Sequence, residues 1–218
     1  KLTAIIAVRK GSVRVKNKNS KKFCNTTLLD LKIKQLKRIK KIDEIIVSSD
    51  SKKLLNIAKK HNITVHKREK YFASSKANNS EFFENLASFI NSEYIMYAPV
   101  TAPLILDKSI NECIKFLDKA KNNYKSVATA KLVKEHMWLR GKPHNYSLTN
   151  APSSQDLPDI MSITLGCCIL KRLDMLKFRN VLTDKTKFIM LNQIESIDID
   201  TQIEFEMAEY FFKKYRKK

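Results

Sequence analysis

Two hydrophobic rhythms alternate along roughly the first 130 residues: short β-rich apolar runs, and stretches where apolar residues return every three or four positions. That alternation predicts βαβ units and a parallel sheet. Leu2 to Val8 reads as a buried strand, followed by a basic loop to about Phe23 and a helix with Leu29, Ile33, Leu36 and Ile39 on one face. Glu44 to Ser48 is the next expected strand. Asp50 or Ser51 opens a helix whose Leu54, Leu55, Ile57 and Ala58 share a face, and Ile63 to His66 returns to the sheet. Phe82, Phe83, Leu86, Phe89 and Ile90 mark a bulky helix, Glu93 to Tyr97 a strand, and Ile110, Cys113, Ile114 and Leu117 another helix. Ser126 to Lys131 is a further strand. From Leu132 to about Pro158 the rhythm lapses, in a stretch with three of the five prolines, which predicts an excursion from the sheet at about 132–160. Regular elements resume with a strand at Ile163 to Leu170, a short helix near Leu173, a strand at Phe188 to Leu191 and a last helix from about Thr201. Thr201 and Glu204 have the spacing of a capping box, and the KKYRKK terminus reads as a frayed end.

With 218 residues, 43% hydrophobic and 29% charged, the chain can bury a real core, and it reads as one domain over 1–218 with an appendage. Collagen, disordered and disulfide-scaffold classes are excluded by composition. The longest apolar runs are strand-sized, well short of the roughly 20 residues that span a bilayer. No membrane partner is expected. The opening residues lack the order of a secretory signal, so a cytoplasmic location is expected. Cys24, Cys113, Cys167 and Cys168 show no CxxC spacing and read as reduced thiols. None of the four histidines has HExxH spacing or a nucleophile motif beside it.

The charge of +20, from 42 basic and 22 acidic residues, raises nucleic acid as a partner. Only eight of the basic residues are arginine, and no zinc finger, basic zipper or aromatic RNP pattern accompanies them. A general lysine bias explains the charge, and nucleic acid is disfavoured.

In an open parallel sheet, ligands bind beyond the carboxyl ends of the strands. The loop after the first strand reads AIIAVRKGSVRVKNKN, with Gly11 as its one glycine, so neither GxGxxG nor GxxxxGK is present. Arg9, Arg14 and Lys18 are spaced to surround a polyphosphate if the loop folds back, with Ser12 and backbone amides as neutral donors. The plain alternative is a solvated basic loop. Near the other end, SIDIDT puts Asp198 and Asp200 two apart, on one face of an extended segment. Adjacent carboxylates repel unless a cation joins them, and magnesium, or manganese in its place, suits hard oxygen ligands. Asp200 alone is also explained as a charge at a helix N-terminus, whereas Asp198 is not.

The loop resembles the signature RxGSKRxxxKN of the cytidylyltransferases that activate acylneuraminates and related nine-carbon acids: Arg9, Gly11, Ser12, Arg14, Lys18 and Asn19 match. The closing IDIDTQIEFEMAEY resembles that family's IDIDTxxDFxxAE. The resemblance implies that Arg9 and Lys18 clamp the triphosphate of CTP, that Asn19 contacts the nucleotide, and that Asp198 and Asp200 hold the metal. VHKREKYFASSKANNS is similar to the family's base-framing region, which puts Arg68, Ala77 and Asn79 near cytosine and ribose. On residues alone, Arg68 reads equally well as a surface cation beside Lys67 and Lys70. VTAPLI resembles the TSPL turn through Thr101 and Pro103, and GKPHNYSLTNAPSSQDLP resembles the segment building the acid-sugar pocket and dimer contact, through Asn145, Tyr146, Gln155, Asp156 and Leu157. Tyr146, with Trp138, also fits ordinary interface packing.

Three departures stand out: Val13 replaces a lysine, Pro99 a glutamine and Ser153 an arginine suited to the sugar carboxylate. Asp50 approaches the nucleotide or caps a helix. The resemblance implies a doubly wound α/β, mostly parallel sheet of the nucleotide-diphospho-sugar transferase kind, a homodimer formed through the excursion, and CMP transfer from CTP to an acidic nine-carbon sugar. A family member with lost or altered activity and a polyanion-binding protein are the alternatives.

Overall fold

The computed structural model describes residues 1–12, 14–119 and 123–215. Val13, the side chain of Leu117 and the last three residues, on which expectations were placed, lie outside what is described.

In chain order the strands are β1 (Leu2–Ala7), β2 (Lys22–Phe23), β3 (Thr26–Thr27), β4 (Glu44–Ser49), β5 (Thr64–Lys67), β6 (Tyr94–Tyr97), β7 (Ser126–Val133), β8 (Trp138–Leu139), β9 (Lys142–Pro143), β10 (Ile160–Lys171) and β11 (Thr186–Met190). The helices are α1 (Leu28–Lys37), α2 (Lys52–Lys59), α3 (Asn79–Ser88), α4 (Asp107–Lys119), α5 (Arg172–Phe178) and α6 (Gln202–Tyr215). Seven strands form one sheet in the order β11-β7-β10-β6-β1-β4-β5, in which β10 alone runs antiparallel to its neighbours. Local periodicity fixes strand existence and not direction, so the sense of β10 was not legible in its pattern.

The parallel strands are apolar on both faces because both are covered. On β1, Ala4 and Ile6 join the core shared with α1, α2, α4 and α6, while Ile5 joins the core under α3 and α5. Met96 and Ile95 of β6 divide in the same way. Ser51 rather than Asp50 caps α2, its hydroxyl accepting from the Leu54 amide, and Asp50 instead accepts from the Lys10 amide at 2.9 Å. Asp50 thereby ties the basic loop to the end of β4. The capping box at Thr201 and Glu204 forms at α6, and Lys213 to Tyr215, expected to fray, continue that helix.

Chain direction creates the ligand position. From β1 the chain moves outward to β4 and β5, then crosses on the other face to β6 on the opposite side of β1. The carboxyl ends of β1 and β6 therefore flank the topological switch point.

The excursion holds the β8–β9 hairpin and a bridge between Ser147 and Asn150. Its apolar side chains Trp138, Leu139 and Leu148 are more than half exposed. Among the described residues, no helix is long and apolar enough to cross a membrane.

Candidate active site

A cavity of about 440 Å³ opens at the switch point, lined from the end of β1 by Ala7 to Arg9, from the basic loop by Ser12, Arg14, Lys18 and Asn19, and from the end of β6 by Tyr97 and Pro99 to Thr101. Arg68, Ala77, Asn79 and Phe82 close the other side. That volume is in the ordinary range for small-molecule sites.

The basic loop folds back because its own polar groups and one buried anchor hold it. Asn19 donates to the Arg9 carbonyl at 3.0 Å, Lys21 N–H to the Asn17 carbonyl at 2.8 Å, and Val15 is buried. Its far end is fixed to the last helix by aromatic packing: Phe23 meets Phe205 and Phe212 edge-on at 5.5 and 5.4 Å. Lys21 sits 4.7 Å above the Phe205 ring and donates to Gln202 at 3.0 Å. The two ends of the chain thus converge. Arg14 pairs with Asp200 at 2.9 Å, Lys18 donates to the Ile199 carbonyl, and the Lys18 ammonium lies 3.8 Å from Asp200.

Burial, opposed by Asp200 and Asp198, lowers the pKa of Lys18 below the usual lysine value. Asp198 shows the converse: burial raises its carboxyl, a hydrogen bond with Thr101 opposes, the Asp200 charge adds to the rise and Lys18 counters it. Thr101 also accepts the Ile199 amide at 2.9 Å, so the turn after β6 and the segment before α6 position each other. Neither aspartate lines the cavity directly; each contacts residues that do. Glu204 accepts both the Asp200 and Thr201 amides, fixing the backbone at the carboxylate pair.

The distribution of unsatisfied groups distinguishes this region. Among the described residues, the buried side-chain polar atoms without a hydrogen-bond partner are Ser12 Oγ, Arg68 Nε and Nη1, Asp198 Oδ1 and, away from the cavity, Asn85 Oδ1. Orphaned buried polar groups are costly and rare in folded proteins. Four of these five atoms belong to residues that line the cavity or bond to its wall, which marks it as a place where a polar ligand completes the bonding. Arg68 is buried rather than a surface cation, with Nη2 donating to the Val8 carbonyl at 2.6 Å and its guanidinium 5.2 Å from the Phe82 ring centroid. Arg9 reaches the cavity wall and donates to the Ala73 carbonyl at 3.2 Å.

Other expected site residues fall elsewhere. Gly11, at φ +74°, does not line this cavity; it faces a neighbouring one of about 430 Å³ with Lys10, Asp50 and Lys52. Its left-handed φ is the conformation glycine admits without strain, and it lets the loop turn there. Tyr146 and Gln155 do not line the cavity of their own chain: the Tyr146 hydroxyl accepts from Trp138 at 2.7 Å, and Gln155 is exposed. Asn145 is a scaffold for the excursion, accepting from Met137 N–H and donating to the Glu135 carbonyl, both at 2.9 Å.

Sequence reasoning missed Tyr97 as a cavity residue, since it reads as the last position of a buried strand. It also missed the buried polar clasp behind the turn after β6. Lys32 donates to the Ala102 carbonyl at 3.0 Å, Gln35 to the Ile105 carbonyl at 2.7 Å, and Glu195 accepts from Leu106 N–H and Ser109. A lysine and a glutamine three apart on the face carrying Leu29, Ile33 and Leu36 were the available signal.

The carboxylate pair fits a divalent cation. Asp198 Oδ1 is an orphaned, buried acceptor, and Asp200 is held by exposed Arg14 and by Lys18, groups that a phosphate chain would draw away.

A cytidylyltransferase family model matches residues 3–211. Flagellin modification protein B of Campylobacter coli is 25% identical over 96% of this chain and 94% of its own length. The CMP-N,N'-diacetyllegionaminic acid synthase of Legionella pneumophila is 23% identical over 96% and 95%. Among solved structures, the fold is similar to a 4-diphosphocytidyl-2C-methyl-D-erythritol synthase from Anaerococcus prevotii, with a TM-score of 0.72 at 16% identity over 97% of this chain and 98% of that one. It is also similar to a CMP:2-keto-3-deoxy-manno-octonic acid synthetase complexed with CTP, with a TM-score of 0.71 at 10% identity over 98% and 99%. The mostly parallel sheet is the nucleotide-diphospho-sugar transferase-like fold expected from the sequence. With the family model spanning nearly all of the chain, and with a cationic loop and a carboxylate pair meeting at its switch point, the protein belongs to the cytidylyltransferase family and is a nucleotidyltransferase.

Proposed function

We propose that the enzyme transfers CMP from CTP to a nonulosonic, sialic-acid-like sugar, releasing pyrophosphate in a magnesium-dependent reaction. The orphaned polar atoms around the cavity carry this reading. Arg68 leaves Nε and Nη1 without partners; both nitrogens only donate, so either can meet the N3 acceptor of cytosine. Uracil carries N–H at position 3 and would meet such a donor with another donor. Arg9, Lys18 and Ser12 line the cavity where the triphosphate would extend from a base held at Arg68.

A hydroxyl oxygen of the acid sugar attacks the α-phosphorus; a new P–O bond forms, the bond to the β-phosphate oxygen breaks with its electron pair leaving on pyrophosphate, and the hydroxyl proton passes to solvent. Such transfers need positioning and charge neutralisation more than covalent chemistry from the protein. Arg9 and Lys18 neutralise the charge growing on pyrophosphate, in a loop whose geometry is set before the nucleotide arrives. Asp198 and Asp200 are the residues that would hold magnesium, which supplies charge neutralisation and a lowered pKa for a bound oxygen.

The acid sugar is supported by the names of the two full-length relatives, which concern flagellin modification and a CMP-diacetyllegionaminic acid. The exposed apolar side chains of the excursion support a homodimer built through it, which would bring Tyr146 and Gln155 toward a partner's cavity. Pyrophosphate release measured for the four nucleotide triphosphates against a set of acid sugars tests the reading. Release with CTP and at least one nonulosonic acid is expected; none from any such pair would overturn it.

A further inference from the structure

Tyr97 ends β6 with its ring set edge-on to Phe83, centroids 5.4 Å apart, and to Phe82 at 6.5 Å. These contacts fix where its phenol points. The side chain lines the cavity, and among the described residues no group bonds to its hydroxyl. Burial first, then the Cys168 sulfur, raises the phenol above its ordinary value; Arg68 opposes the rise and Asp198 adds to it. The hydroxyl therefore stays protonated at neutral pH and can both donate and accept. The Phe82 ring that Tyr97 meets also lies 5.2 Å from the Arg68 guanidinium, and Thr101, four residues along the same cavity wall, bonds Asp198, so Tyr97 sits between the two.

Covalent connectivity of the ligand then narrows the choice. In a nucleotide the ribose joins base to phosphate, so a group between the base-reading arginine and the phosphate-side carboxylates faces the ribose. We propose that the Tyr97 hydroxyl reads the ribose of the nucleotide, bonding one of its secondary hydroxyls and so selecting a sugar that carries that hydroxyl over one that lacks it. This rests on the CTP reading above.

The test is calorimetric binding of CTP, 2'-deoxy-CTP, 3'-deoxy-CTP and UTP, with magnesium and without acid sugar, to the wild type and to Tyr97→Phe. The variant keeps the ring packing and removes one oxygen. The wild type is expected to bind one deoxy analogue roughly three- to tenfold more weakly than CTP, the worth of one neutral hydrogen bond. Y97F should bind CTP weaker by a similar factor and no longer distinguish it from that analogue. Its ratio of CTP to UTP affinity should stay that of the wild type, which a general loosening of the site would not preserve. Equal wild-type affinity for CTP and both deoxy analogues, or an undiminished preference in Y97F, would overturn the assignment while leaving the CTP reading intact. Failure of the wild type to bind CTP would overturn both.

Discussion

The buried polar groups behind α1 and those around the cavity face the same physical problem and solve it differently. Lys32, Gln35 and Glu195 are nearly inaccessible, yet every hydrogen bond described for them ends on a protein group: Ala102, Ile105, Asp107, Leu106, Ser109 and Asn192. Some 70 residues of sequence separate α1 from the turn it clasps, so this is tertiary structure held by internal polar bonds. At the cavity, Arg68, Ser12 and Asp198 are also sequestered, but their bonding is left incomplete. The first region is finished by the protein, whereas the second leaves donors and acceptors open to a ligand. Satisfied polar burial stabilises, while unsatisfied burial costs stability that only ligand binding recovers.

The sharpest way to break this contrast is Asp198→Asn. Removing a buried carboxylate charge next to Asp200 should leave the melting temperature unchanged or raised, while CMP transfer falls by about a thousandfold or more if the pair holds the metal. A variant that melts lower and keeps its activity would reverse the assignment. Next in size, Lys18→Met should lower kcat/KM by roughly a hundred- to a thousandfold, about 3–4 kcal/mol, as loss of a preorganised charge-stabilising donor does. Steady-state kinetics read it, and an unchanged turnover would remove Lys18 from the site.

The clasp predicts the opposite pairing of effects. Lys32 also donates to Gln35 Oε1 at 2.9 Å, so Lys32→Met removes a donor from that oxygen and from the Ala102 carbonyl, and chemical denaturation should show a loss of about 2–3 kcal/mol. The smallest effect concerns Asp30 on α1. Burial alone would raise its carboxyl, but hydrogen bonds from Lys34, Thr26 and His61 override this and hold it at about 2. A depressed carboxylate contributes stability above its unfolded pKa and loses it as pH falls toward the folded value. Stability should therefore drop by on the order of 2 kcal/mol between roughly pH 4 and pH 2, and Asp30→Asn should lack that acid limb.

Which of these features could be read from the sequence follows from their range. The strands and helices around both cores were legible because strands covered on both faces read as short continuous apolar runs, while helices return apolar residues at a period of 3.6. The basic loop and Asp198 with Asp200 were legible as chemistry because their residue types sit close together along the chain. Their meeting was not: it depends on Phe23 packing against Phe205 and Phe212, a contact across more than 180 positions. Arg68 could not be separated from Lys67 and Lys70 as a surface charge, since only the fold shows that it turns inward toward Val8. Tyr97 and the Lys32 clasp were hidden for the same reason, each lying in a pattern that local periodicity explains fully. Tyr146 and Gln155 lie in an excursion whose apolar side chains are left bare in one chain.

The central claim is that the cavity's unsatisfied groups are completed by a cytidine nucleotide. Thermal melting of the wild type and of Arg68→Met with each of the four nucleotide triphosphates and magnesium tests it most directly. The wild type should be stabilised most by CTP, clearly beyond UTP, and the variant should lose that difference while keeping a common, smaller shift from the triphosphate. Equal stabilisation of the wild type by all four nucleotides, or none by CTP, would contradict it.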